Sequence, residues 1–430
     1  MEQPLATLDA ANMKVRIAMA IAVLVVIAFA WLAVRWQIGS MLAELTSPNQ
    51  PGAGQIAELA GSLAPSDPVA TWLAATKEKE DFAPESVARA VKMFEQTVRL
   101  SPNDFRWWIE LGRAYEQAEQ PENAERAFRH AVELAPTYTF PHWQFGNFFL
   151  RQGRSDEAFA ELKRTTEQSP VYREQVFSLA WDYFDKDPQK LESIIDDSPD
   201  VRATLALFYA VRGSAENALR VWNTLTDEQK APHIESAKNI AQGLFDKRSF
   251  RQALAFARQT GIDPEAQVGV VTNGGFESFI GSGEKSLFGW QVIRGDAKLD
   301  ITADSSVRSE GKKGIRLTFK GYVKPVLHNV VQIVAAEPGT NYRLTFSLRT
   351  ENLRSAGAPM VQVVAGPAAA ILGSTEPFPT GTQDWTQMSI DFTVPEDTDG
   401  FAIRTVRGSC GEECPIVGTI WYDDFKLTKL

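Results

Sequence analysis

The chain has 430 residues, room for about three domains at roughly 150 residues each. Its 44% hydrophobic and 23% charged residues are those of a globular protein, so disorder is excluded as the main state, and a mean hydropathy of -0.20 excludes a multi-span membrane protein. With 44 basic against 54 acidic residues and a formal charge of -10, the chain lacks the basic surface that displaces counterions from phosphate, which argues against a nucleic-acid partner.

From Ile17 to Val34 there are 18 consecutive uncharged residues, long enough with flanking apolar positions to cross a bilayer as a helix. We expect a transmembrane anchor over 15–36, its helix able to continue to about Thr46. Lys14 and Arg16 precede the run, and after Arg35 no Lys or Arg occurs until Lys77. That bias places residues 1–14 in the cytoplasm and the rest outside, an inner-membrane, single-pass arrangement. The alternative is a cleaved signal peptide, since Ala28-Phe29-Ala30 has the small-x-small form of a cleavage site. Residues 37–67 carry Pro48, Pro51, Gly52, Gly54 and Pro65 and read as a linker, with one short helical turn near Ile56 to Leu63.

A step of 34 residues then organises the chain. Trp108, Leu111, Gly112, Tyr115, Ala124, Phe128, Ala131 and Pro136 fit the pattern W-x2-L-G-x2-Y...A-x3-F...P at every position. One step on come His142, Phe145, Gly146, Phe149, Ala158, Leu162 and Pro170; one step back come Ala90, Phe94 and Pro102. The small residues let two helices approach, the large ones fill the seam, and proline closes the unit. Weaker units follow around Leu179, Ala180 and Tyr183, around Leu205, Ala206 and Tyr209, and around Ile240, Ala241 and Leu244. Residues 68–265 thus resemble the tetratricopeptide-repeat family, which implies an all-α solenoid of five to six helical pairs that binds a protein partner. Aromatics on the consensus are expected to pack. Trp107, Phe140 and Trp143 lie off it and are the candidate partner contacts.

Of 29 glycines, 19 fall from Gly269 onward, and helical periodicity gives way to short alternating runs: Gly314 to Phe319, Tyr342 to Leu348, Met388 to Phe392, Phe401 to Val406 and Thr419 to Leu427. Asn273-Gly274-Gly275-Phe276-Glu277, Gly289-Trp290, Ser309-Glu310-Gly311, Pro338-Gly339-Thr340-Asn341-Tyr342, Trp385-Thr386-Gln387 and Trp421-Tyr422-Asp423-Asp424-Phe425 follow one another in an order that resembles the jelly-roll carbohydrate-binding modules of xylanases and cellulases. The resemblance implies an all-β jelly-roll sandwich over 268–430, a structural calcium held by Glu277 with Asp423 or Asp424, and recognition of a polysaccharide. Calcium takes several hard oxygen ligands, which suits those carboxylates.

Alternation in the strand from Tyr342 sends Tyr342, Leu344, Phe346 and Leu348 to the core and leaves Arg349 outside. By the same rule Gln362 and Arg404 are expected to join Arg349 in one polar patch. Trp290, Tyr322 and Trp385 are the available stacking platforms; packing is the competing role for Trp290 and Trp385. Cys410 and Cys414 enclose a short loop and are expected to form a local disulfide outside the cytoplasm.

Catalytic machinery is not evident. The four histidines, His130, His142, His233 and His328, show no paired metal spacing, and Gly281 to Ser286 is only a faint phosphate-loop likeness. The sequence therefore reads as a multidomain, non-catalytic envelope scaffold with no required cofactor, serving exopolysaccharide or cell-envelope assembly. The alternative is an adaptor whose sandwich has no sugar affinity; a glycan-active enzyme is the remaining reading.

Overall fold

The computed structural model describes residues 12–278, 280, 286–293, 296–324, 327, 329–366, 369–408, 410–411 and 414–430. Residues 281–285 of the phosphate-loop likeness, and His328, lie outside the described residues. The chain forms two compact units, Met1–Asp196 and Asp197–Leu430.

In the first unit, α1 (Met13–Leu45) starts at Asn12, whose side chain accepts the Lys14 N–H. Its apolar side chains face outward: Ile17, Phe29 and Trp31 are 54%, 73% and 69% exposed. An apolar stretch exposed on every side suits a lipid environment, and the length and hydropathy of α1 are sufficient to span a membrane. As the sequence allowed, the helix continues to Leu45.

The expected linker is a packed helical element. The end of α1 lies against α2 (Ala53–Leu63) and α3 (Pro68–Lys79), with Ala43, Ala57, Ala60, Ala70 and Leu73 buried together. Gly39 faces Ala64 so closely that no Cβ fits between them. The Ser40 hydroxyl donates to Asp67 Oδ2 at 3.0 Å, and the other carboxylate oxygen caps α3 at Ala70 N–H. Pro51 and Gly52 do not break a helix; they end one turn and begin the next helix.

There follow α4 (Pro84–Leu100), α5 (Phe105–Gln117), α6 (Pro121–Leu134), α7 (Thr139–Arg151), α8 (Ser155–Gln168), α9 (Pro170–Tyr183) and a short α10 (Pro188–Ser193). Proline opens α3, α4, α6, α9 and α10, where its missing N–H has no helical partner to lose. Successive helices pair as α3 with α4, α5 with α6, and α7 with α8. Glycine sits where the pairing is tightest: a Cβ on Gly112 would meet the Phe128 ring at 3.0 Å, and one on Gly146 would meet Leu162 at 2.8 Å. Trp108 Nε1 donates to Pro102 O at 2.8 Å, and one repeat later buried His142 places Nε2 3.0 Å from Pro136 O. The histidine thus occupies the tryptophan position and keeps its contact six residues back.

The second unit opens with α11 (Pro199–Val211), α12 (Ala215–Asn223), α13 (Asp227–Lys230), a short 3-10 turn (Ala231–His233), α14 (Ile234–Asp246) and α15 (Phe250–Gln259). Among the described residues ten strands follow: β1 (Gln291–Val292), β2 (Leu299–Asp304), β3 (Gly314–Tyr322), β4 (Val330–Ala335), β5 (Asn341–Ser355), β6 (Pro359–Ala365), β7 (Ala370–Ser374), β8 (Gly381–Thr393), β9 (Gly400–Arg407) and β10 (Ile416–Lys429). They make two antiparallel sheets, β1-β4-β9-β6-β7 and β2-β3-β10-β5-β8. Leu317, Leu344, Phe346, Val363, Phe401, Ile403 and Tyr422 fill the space between them, and the Tyr422 and Thr405 hydroxyls meet across it at 3.1 Å.

The sequence reading separates helical and strand regions near 265–268, whereas the compact units divide after Asp196. The reason is that α14 and α15 pack on the sandwich: the Phe245 ring lies 5.3 Å from that of Phe288, and Asp399 accepts the Phe250 and Arg251 N–H groups at 3.1 and 2.9 Å.

Candidate functional site

In the first unit, α5 and α7 lie side by side, tied by Arg151 to Glu116 at 2.7 and 2.8 Å. Phe140 is 37% exposed, with the Arg113 guanidinium 5.9 Å from its ring centre. Trp143 is half-buried and packs on Tyr172 at 5.3 Å, while the Asn147 amide turns back to its carbonyl. Arg113, which also pairs with Glu110 at 2.7 Å, thus flanks Phe140, and Trp143 follows three residues later on α7; arginine and aromatic side chains are the types that anchor protein contacts. Arg113 gave no signal in the sequence beyond its place one residue past Gly112. Trp107 does not belong to this surface. It is 8% exposed, in the cluster of Phe94, Leu111 and Ala114, with Trp72 5.8 Å away; it faces the preceding repeat. A separate groove of about 610 Å³ runs between α2, α3 and α4, lined by Ala57, Glu58, Thr71, Lys77, Glu78 and Met93.

The glycan candidates of the second unit are divided between opposite faces of the sandwich. Arg349 is on β5, whereas Gln362 on β6 and Arg404 on β9 are cross-strand partners in the other sheet. Alternation gives the correct outward sense for all three; it says nothing about which sheet a strand joins. On its own face Arg349 bonds Asp384 at 3.1 Å and lies 5.8 Å from the Trp421 ring. Trp421 in turn donates to Asp304 at 3.0 Å, and Arg316 reaches the same carboxylate at 3.4 Å. Burial pushes the Asp304 carboxyl up, but the Trp421 indole, the Ser306 and Val307 amides and Arg316 outweigh it and hold it below its ordinary value.

Trp290 and Tyr322 are not platforms. Trp290 is 5% exposed, its ring between Phe276 and Phe425 at 5.1 and 4.9 Å and its N–H on Asn273 O. Tyr322 is 3% exposed, and burial raises its phenol pKa. Trp385, on β8 beside Asp384, remains half-exposed.

The expected calcium ligands hold a loop. Glu277 Oε1 accepts the Lys312 and Lys313 N–H groups at 2.6 and 3.3 Å, which lowers its pKa, the Lys312 amide contributing most. Asp423 Oδ2 accepts from Ser309 and Glu310, at 2.7 and 3.0 Å, and Oδ1 from Asp424; burial nevertheless raises its pKa. Asp424, at φ +57°, pairs with Lys426. The 309–313 segment turns amides toward these carboxylates, and among the described residues no group of three acidic or other metal-ligating side chains forms. Cys410 and Cys414 are joined as expected, with a Cα separation of 5.5 Å, and the Arg407 guanidinium lies 3.0 Å from the Cys414 sulfur.

The family model of the tetratricopeptide repeat matches residues 105–138. Over those residues the chain is similar to a tetratricopeptide repeat. No curated protein matches the chain in sequence. Among solved structures, a chain described as "CBM4 structure and function" is 14% identical, with 37% of this chain and 99% of that one covered and a TM-score of 0.28. YrrB, described as a TPR protein with an unusual peptide-binding site, is 20% identical over 47% of this chain and 90% of its own, with a TM-score of 0.29. MamA from Desulfovibrio magneticus RS-1 is 23% identical over 32% and 75%, with a TM-score of 0.27. These are likenesses of fold, not of function.

Proposed function

We propose that the protein is a non-catalytic, membrane-anchored scaffold whose repeats bind a protein partner. The observation that carries this reading is the α5–α7 surface, where Arg113, Phe140 and Trp143 stand together on rigid helices outside the repeat consensus. Binding energy at such surfaces concentrates in a few aromatic and arginine side chains. On this reading residues 1–14 are cytoplasmic, α1 crosses the inner membrane, and the repeats and sandwich act outside it, in cell-envelope or exopolysaccharide assembly. The test is co-purification from membranes that express the full chain: a protein retained by the wild type is lost from the Arg113→Ala, Phe140→Ala, Trp143→Ala triple variant, with thermal stability unchanged. Equal retention by both refutes the assignment.

The sandwich supports two readings. Glycan recognition has its support in the fold likeness and in half-exposed Trp385 beside the Arg349–Asp384 pair. A sandwich without sugar affinity is favoured by the burial of Trp290 and Tyr322, which leaves no aromatic row for pyranose stacking among the described residues. Binding of the full chain to a glycan array, lost on Trp385→Ala, decides for the first; silence across neutral and acidic glycans decides for the second.

A further inference from the structure

The β4-β9-β6 part of the sandwich presents an unusual outer face. In register across the three strands lie Ile333, Ala402 and Val364 in one row, and Val331, Arg404 and Gln362 in the next. All of these but Gln362 floor a cleft of about 370 Å³, whose opposite wall is Phe245 at the end of α14, the Arg248 turn and Phe250 at the start of α15. That volume is in the range of small-molecule sites. The wall is fixed by the Asp399 cap on α15, by Arg248 on the Gly366 carbonyl, and by the Phe245 ring edge-on to Phe250 at 5.4 Å.

Arg404 has no ion-pair partner in this cleft, where Arg248 and Asp246 carry the other charges. Arg404 Nη2 donates only to the neutral Gln362 amide at 3.2 Å, and its Nε is buried without an acceptor. Among the described residues no carboxylate pairs with it. Of the two acids nearby, Asp246 accepts from Gln242 at 2.7 Å, and Asp399 is engaged by α15. Arg316 and Arg349 also have a buried Nε without an acceptor, but each has an aspartate. Burial lowers the Arg404 pKa, a sign that the cation is held against its preference for water. An anion supplied from outside would satisfy it.

We propose that this cleft binds a small monocarboxylate with an apolar body, its carboxylate on Arg404 and its body against Phe245, Phe250, Ile333 and Val364. A uronic acid would supply the same charge, but its hydroxyls would lie on valine, isoleucine and alanine, where they lose water and gain no partner. The proposal is independent of the partner-binding and glycan readings.

The test uses the full chain in nanodiscs and isothermal titration with hexanoate and 3-phenylpropionate, with 3-phenylpropanol and tri-galacturonate as comparisons. Saturable binding of both carboxylates is expected. Arg404→Gln weakens it about ten-fold or more, Arg343→Gln, at an exposed pair with Asp391, leaves it unchanged, and Ala402→Leu, which fills the floor and keeps the cation, abolishes it. No saturable binding by the wild type, unchanged binding by Ala402→Leu, an alcohol held as tightly as the acid, or a tighter complex with tri-galacturonate that Arg404→Gln weakens would each overturn the proposal.

Discussion

Replacing Gly39 by leucine should release α1 from the repeats. An added Cβ falls 2.7 Å from Ala64 Cβ and 2.8 Å from Ala64 N and Leu63 Cβ. Carbon atoms settle at about 3.5–4.0 Å, so α1 and the α2–α3 junction must part by about 1 Å. At that separation the 3.0 Å Ser40–Asp67 hydrogen bond no longer forms. Overpacking costs about 1–3 kcal/mol, and the lost bond to a carboxylate about 1.5–3 kcal/mol. Leucine recovers just under about 1 kcal/mol through helix propensity, which leaves a net loss of about 3 kcal/mol. Hydrogen exchange of the full chain in nanodiscs reads this directly: protection of residues 53–64 should fall about 100-fold, while Gly61→Ala, with no atom within 4 Å of the new Cβ, leaves it unchanged or higher. Unaltered protection in Gly39→Leu would refute the packing of the 37–67 segment on α1.

Other perturbations act in the second unit. Asp399→Ala removes two charge-assisted bonds from the start of α15 and should destabilise its docking by about 2 kcal/mol, seen as faster exchange at residues 250–259. Because the Asp304 carboxyl is held below its ordinary value of 3.8, its contribution is present above that pH and lost as pH falls through the folded pKa. Melting of Asp304→Asn should therefore depend less steeply on pH below about 4 than melting of the wild type. Reduction of Cys410–Cys414, which closes a loop of five residues, should lower stability by about 2 kcal/mol in the chain-entropy account. An unchanged denaturant midpoint after reduction would contradict that estimate.

What was legible in the sequence was periodic. The 34-residue step located the repeat helices because each small residue, such as Gly112 and Gly146, has its large partner at a fixed distance along the chain. The strands from Gly314, Tyr342, Met388, Phe401 and Thr419 were legible because alternation is local. Sheet membership is not local, and so Arg349 was grouped with Gln362 and Arg404 on the wrong side of the sandwich. The 37–67 segment reads as a linker because Pro51 and Gly52 look the same between packed helices as in a free chain; what packs it is Gly39 against Ala64. The cleft at Arg404 is illegible for a similar reason, since Phe245 and Phe250 lie about 80 residues or more before the strands they face. Glu277 and Asp423 were found as a pair, but their partners are backbone amides, which carry no sequence signal.

The central claim is that the α5–α7 surface of a membrane-anchored chain holds a protein. A photo-crosslinking amino acid placed singly at Phe140 and at Trp143 in the full chain, expressed in its own membrane, tests it most directly. The account predicts one adduct of the same added mass from both positions, and none from Leu59 on α2, which is 51% exposed. No adduct from either position, or the same adducts from Leu59, would contradict it.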